Sequence, residues 1–104
     1  MVTENLLNSW QKMSLIEQLG NIGSEVGRAA KWENKDESRF YIAVEKGLDL
    51  LEATIKDSRW GSKNREIILA KELFADAVLG GKEYKTSLAD MEKYFMQFAM
   101  LAMK

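Results

Sequence analysis

The chain has no cysteine, no histidine and no proline among its 104 residues. Without cysteine there can be no disulfide, thiolate metal ligand or thiol nucleophile, a composition that suits a reducing compartment. The lack of histidine excludes Ser-His catalysis, histidine-ligated zinc or iron, and imidazole acid and base chemistry near neutral pH. With proline absent and Leu, Ala, Glu and Lys abundant, helix is favoured over nearly the whole length and no strand is expected. No segment reaches the roughly 20 apolar residues that span a bilayer. The opening MVTENLLNSW lacks a basic start followed by an apolar run, so we expect a soluble, cytoplasmic protein. Fifteen basic residues against sixteen acidic ones, interspersed throughout, supply no broad basic face, so neither nucleic acid nor membrane is an expected partner.

What is present organises itself around Ser14 to Trp32. Ser14 with Glu17 three residues on fits a capping box, in which each side chain satisfies a backbone N–H orphaned at a helix start. Leu15, Leu19, Ile22, Val26 and Ala29 then recur with helical period and form an apolar stripe. Beside it run Gly20, Gly23, Gly27 and Ala30. Each mid-helix glycine costs about 1 kcal/mol relative to alanine, so a close neighbour must offset them. The next helix is the expected neighbour, setting Gly23 opposite Gly47 and Gly27 opposite Ala43; a ligand or a second subunit against the glycines is the alternative.

A chain of this size forms one domain. The periodicities predict an all-α, antiparallel up-down-up-down four-helix bundle over 1–104, with helices at about 14–34, 37–57, 63–80 and 88–103 and a short arm at 4–12. The arm carries Leu6, Leu7 and Trp10, with Trp10 its anchor. Asp36 or Ser38 caps the second helix, whose stripe is Tyr41, Val44, Leu48, Leu51 and Ile55, widened by Phe40 and Gly47. Ser62 caps the third helix, built on Ile67, Ala70, Phe74 and Ala77 with Leu69 and Leu73 beside them, and Gly80 and Gly81 end it. Ser87 and Asp90 form a second capping box, ahead of Leu88, Met91, Phe95, Phe98 and Ala102.

Three features bear on function. The closing FMQFAMLAM is apolar at every position but Gln97, more than one small bundle can hide. An interface of Trp10, Phe95, Met96, Phe98, Met100 and Met103, serving a homodimer or a protein partner, is therefore expected. The loop around Arg59, Trp60, Lys63 and Arg65 offers cations and an indole at a helix start, chemistry that suits an anion; the plainer reading is a packed tryptophan and solvated charges. Finally, Glu45 with Asp49 and Glu72 with Asp76 set like charges four apart, and with Glu52 they offer a magnesium cluster on facing helices. All-helical nucleotide pyrophosphohydrolases hold metal in this way, through Glu-x-x-Glu and Glu-x-x-Asp motifs. Here Glu33 and Asp36 match only the second spacing, at a helix end. For Asp76, a salt bridge to Arg28, Arg39 or Arg65 is the leading expectation.

The succession WQKMSLIEQLGNIGSEVGRAAKW, YIAVEKGLDLLEATIKD, KELFADAVLGG and KYFMQFAMLA resembles small prokaryotic helical-bundle proteins of unknown function. Its general shape is distantly similar to the HEPN group. HEPN ribonucleases rest on an Arg-x4-6-His motif that this histidine-free chain lacks, so the likeness implies bundle architecture and dimer habit and no catalytic residue. The expected function is a non-catalytic, homodimeric interaction protein without a cofactor. The alternatives are a magnesium-dependent nucleotide pyrophosphohydrolase-like enzyme and a HEPN-like nucleotide- or RNA-binding partner of a nucleotidyltransferase.

Overall fold

A computed structural model describes residues 8–102. Residues 8–10 form a helical turn, followed by α1 (Leu15–Trp32), α2 (Glu37–Ile55), a 3-10 segment (Ser58–Lys63), α3 (Asn64–Val78) and α4 (Leu88–Ala102). Among the described residues there is no strand, and no helix is long and apolar enough to cross a membrane. The Cα radius of gyration is 13.1 Å, close to the ~13 Å of a compact domain of about 100 residues. Leu6, Leu7 and Met103 lie outside the described residues.

The helix ends follow local chemistry. Ser14 and Glu17 exchange both capping-box bonds at the head of α1, and Ser87 and Asp90 do the same for α4. Asp36 caps α2 by accepting from the Arg39 N–H. Past α3, Gly80 and Gly81 take positive φ of 107° and 72°. The Gly80 N–H returns to the Ala77 carbonyl and the Gly81 N–H to that of Asp76, the paired closure of a Schellman motif. The start of α3 differs from expectation. Ser62 lies inside the 3-10 segment, which Asp57 caps through the Arg59 N–H, and Lys63 precedes α3 without a side-chain cap.

The core runs through all four helices, with Ile22, Val26, Leu51, Phe74 and Phe95 fully buried. In α2 the buried side centres on the edge that Phe40 and Gly47 widen, with Leu48 and Ile55 half-buried beside it. Phe40, Val44, Gly47, Leu51 and Thr54 face inward while Tyr41 is 56 % exposed, because Gly47 must lie beneath the Phe74 ring and Thr54 must receive Trp10.

The glycine stripe of α1 faces α4 and not α2, contrary to expectation. A Cβ built at Gly20 would stand 3.1 Å from Ala99 Cα, one at Gly23 2.7 Å from Phe95 Cβ, and one at Gly27 2.8 Å from Glu92 Oε2. Helix α1 packs on α4 more extensively than on any other element, and this close approach is what offsets the helix-propensity cost of the three glycines. Gly47 meets Phe74 of α3, with a built Cβ 3.0 Å from Phe74 Cε2.

Candidate functional site

Two of the residues singled out for anion binding, Arg59 and Trp60, are part of a polar clip. Asp57, 3 % exposed, receives Arg59 Nη2 at 2.6 Å, Arg59 Nε at 3.0 Å and Gln18 Nε2 at 3.1 Å. Fully buried Gln18 also donates to the Trp10 carbonyl at 2.8 Å and accepts from Trp60 Nε1 at 2.9 Å. The Trp10 indole N–H donates to Thr54 Oγ1 at 2.8 Å, and Arg59 Nη2 reaches the Met13 carbonyl at 2.7 Å. Arg59 further lies over the Trp60 ring, 4.4 Å from its centroid. The clip thus fastens the first described segment to α1 and to the end of α2. Among the described residues no buried side-chain nitrogen or oxygen lacks a partner, which makes burying such a network tolerable.

This geometry leaves little for an anion. The Arg59 hydrogen bonds, aided by Gln18, hold the Asp57 carboxyl down at about 2 despite its burial, so a ligand would have to displace an ionised internal partner. Lys63 and Arg65 stand exposed beyond the clip. Gln18, Thr54 and Asp57 are not residues that a motif in the sequence singles out. Gln18 had a visible signal, a polar residue lying beside Leu15, Leu19 and Ile22 on the core face of α1.

The carboxylates do not converge: among the described residues no group of three or more acidic side chains is placed to hold a metal. Glu45 is exposed, and Glu52 pairs with Lys56 one turn along α2 at 3.2 Å. Half-buried Asp76 accepts from the backbone N–H groups of Glu83 and Tyr84 at 3.2 and 3.0 Å, pinning the loop after α3. The expected arginine bridge to Asp76 is replaced by these amides, while Arg28 pairs with Glu25 and Arg39 with Asp36 within their own turns. Glu72 accepts from the Tyr84 hydroxyl at 3.4 Å, and its charge raises the Tyr84 hydroxyl pKa.

The candidate interface residues separate. Trp10 and Phe95 are 3 % and 0 % exposed: the indole N–H is matched to Thr54 and the Phe95 Cβ closes on Gly23, so neither presents a surface to a partner. Phe98 is half-buried. Met96, Met100 and Leu101 remain 48 %, 62 % and 48 % exposed after packing within the chain. Met96 borders a shallow cleft floored by Gly20, Gly23 and Ala99.

Comparisons with protein-family models, curated proteins and solved structures gave no match.

Proposed function

We propose that this chain is a non-catalytic interaction protein, an up-down-up-down four-helix bundle that pairs with a second copy through the outer face of α4. The bundle reading is supported by contact pairs whose numbers fall on one helix as they rise on the next: Gly20–Ala99 and Gly27–Glu92, Gln18–Asp57 and Glu25–Gly47, Ile55–Asn64 and Gly47–Phe74. The observation that carries the functional reading is the exposure of Met96 and Met100, one turn apart on α4. Unbranched thioethers adapt to a facing surface, and beside Met96 the α1 glycines and Ala99 leave a shallow cleft that a facing side chain can enter. A two-fold pairing sets the same patch against itself and closes after two copies.

Sedimentation velocity from 1 to about 100 µM tests this; association between such patches falls in a range that mass action reveals. The wild type is expected to move from monomer toward dimer across the series, and Met100→Glu to remain monomeric with an unchanged circular dichroism spectrum. A wild type that is monomeric throughout would refute the proposal.

A further inference from the structure

A second apolar surface lies on the other flank of α4. Tyr94 and Met96 stand on either side of buried Phe95, and where Met96 borders the α1 glycines, Tyr94 opens onto α3. Helices α3 and α4 pack together least closely of the consecutive pairs, and the loop between them is pinned by Asp76 and the Schellman closure. The result is a groove in two adjoining hollows of about 250 and about 330 Å³, which share Glu66, Ala70 and Tyr94. Its walls are Ile16, Leu69, Leu73, Tyr94 and Phe98 over a floor at Ala70. Ile16, Leu69 and Tyr94 keep 40 %, 47 % and 43 % of their surface exposed. From Lys63 to Leu73 it runs roughly 15 Å along α3, about three helical turns.

The charged rim is uneven. Lys63 stands at one end, Glu66 midway and Asp90 at the other end, beside Thr86. A helix laid in the groove with its N-terminus toward Asp90 and its C-terminus toward Lys63 would complement both ends with its own dipole. A basic side chain on its flank would meet Glu66. The geometry points to a docking site for an amphipathic helix of about three turns from a partner protein, with an apolar stripe flanked by lysine or arginine. This is helix-in-groove recognition, on a face separate from the Met96–Met100 patch and independent of self-association.

The test uses two synthetic helical peptides of about 14 residues with one leucine stripe, flanked by lysine in the first and glutamate in the second. Each is titrated into ¹⁵N-labelled protein and read by amide chemical shifts. The chain's net charge is only −1, so bulk attraction contributes little to any preference. The lysine peptide is expected to saturate, to shift amides around Leu69, Leu73 and Tyr94, and to bind roughly tenfold tighter than the glutamate peptide, the effect of two rim pairs. Glu66→Lys should abolish that preference. Leu69→Asp, at an exposed position, should weaken binding at least about tenfold, and Leu79→Asp, outside the groove, should leave it unchanged. Equal affinity for the two peptides, shifts centred elsewhere, binding by neither, or wild-type affinity in Leu69→Asp would overturn the proposal. So would groove amides that shift on dilution without peptide, since that would place a second copy there.

Discussion

Gly23 and Gly27 lie on one face of α1 a turn apart, yet alanine at the two positions is expected to change stability in opposite directions. In a helix interior the replacement alone stabilises by about 1 kcal/mol. At Gly27 the three atoms nearest a new Cβ all belong to the Glu92 side chain, the closest being Oε2 at 2.8 Å. That flexible end can swing away, so most of the gain is kept. At Gly23 the new carbon meets Phe95 Cβ at 2.7 Å and the Phe95 carbonyl carbon at 3.3 Å, atoms that move only if α1 and α4 separate. Forced overpacking of this kind costs about 1–3 kcal/mol, and because the contact involves backbone the upper half of that range applies. The net for Gly23→Ala is a loss of about 1–2 kcal/mol, or roughly 4–12 °C in Tm for a domain of this size. Urea denaturation at fixed protein concentration, followed by circular dichroism, reads both variants; fixing the concentration matters because the proposed self-association would add to apparent stability. If Gly23→Ala raised the midpoint as much as Gly27→Ala, the close approach of α1 and α4 at Phe95 would be wrong.

The clip yields further expectations. Asp57 is held from its ordinary 3.8 down to about 2 in the folded chain, which corresponds to about 2 kcal/mol of stability. Because the unfolded chain takes up the proton first, that contribution is complete above about pH 5 and drains away as pH falls toward 2. Asp57→Asn should therefore flatten the stability profile over that interval in acid titrations monitored by urea midpoint. Gln18→Leu orphans the Trp60 N–H and takes one bond each from the Trp10 carbonyl, which keeps the Met13 N–H, and from Asp57 Oδ2, which keeps Arg59; orphaning a buried group costs about 1–3 kcal/mol. A loss of roughly 2 kcal/mol, with faster amide exchange near Trp10, is the expected outcome; exchange unchanged there would contradict the clip. Magnesium at millimolar concentration should leave Tm unmoved, and a rise that Asp76→Asn abolished would revive the carboxylate cluster.

Local chemistry was readable in the sequence wherever it depends on neighbours in the chain. The Ser14–Glu17 and Ser87–Asp90 boxes, the Asp36 cap, the stop at Gly80 and the stripe Ile67, Ala70, Phe74 and Ala77 all stand as spacing implied. Periodicity identifies the inward face of a helix but not the helix it meets, which is why the sequence pairs the α1 glycines with α2 although they receive Phe95 and Glu92 of α4. The clip was hidden for a related reason. Gln18 and Asp57 lie 39 positions apart, and Trp10 and Thr54 44 apart, so no local pattern links them, and a polar residue on an apolar stripe reads as a defect until its partners are seen. Trp10 anchors its segment as expected, but within its own chain and not at a partner interface: its single donor N–H finds Thr54 inside the core. In α4, composition indicated surplus apolar surface; only the packing separates buried Phe95 from exposed Met96 and Met100.

Self-association through the outer face of α4 is tested most directly by a single cysteine. The chain has none of its own, so Met100→Cys introduces one reactive thiol on the exposed flank, where it is 62 % accessible in the monomer. A position near a two-fold axis meets its own copy, and a disulfide forms only when the two Cα atoms come within about 7 Å. Mild oxidation at micromolar concentration is expected to convert Met100→Cys to a covalent dimer, while Ser38→Cys, exposed at the start of α2, stays monomeric. Equal cross-linking of the two variants, or none at position 100, would contradict the pairing.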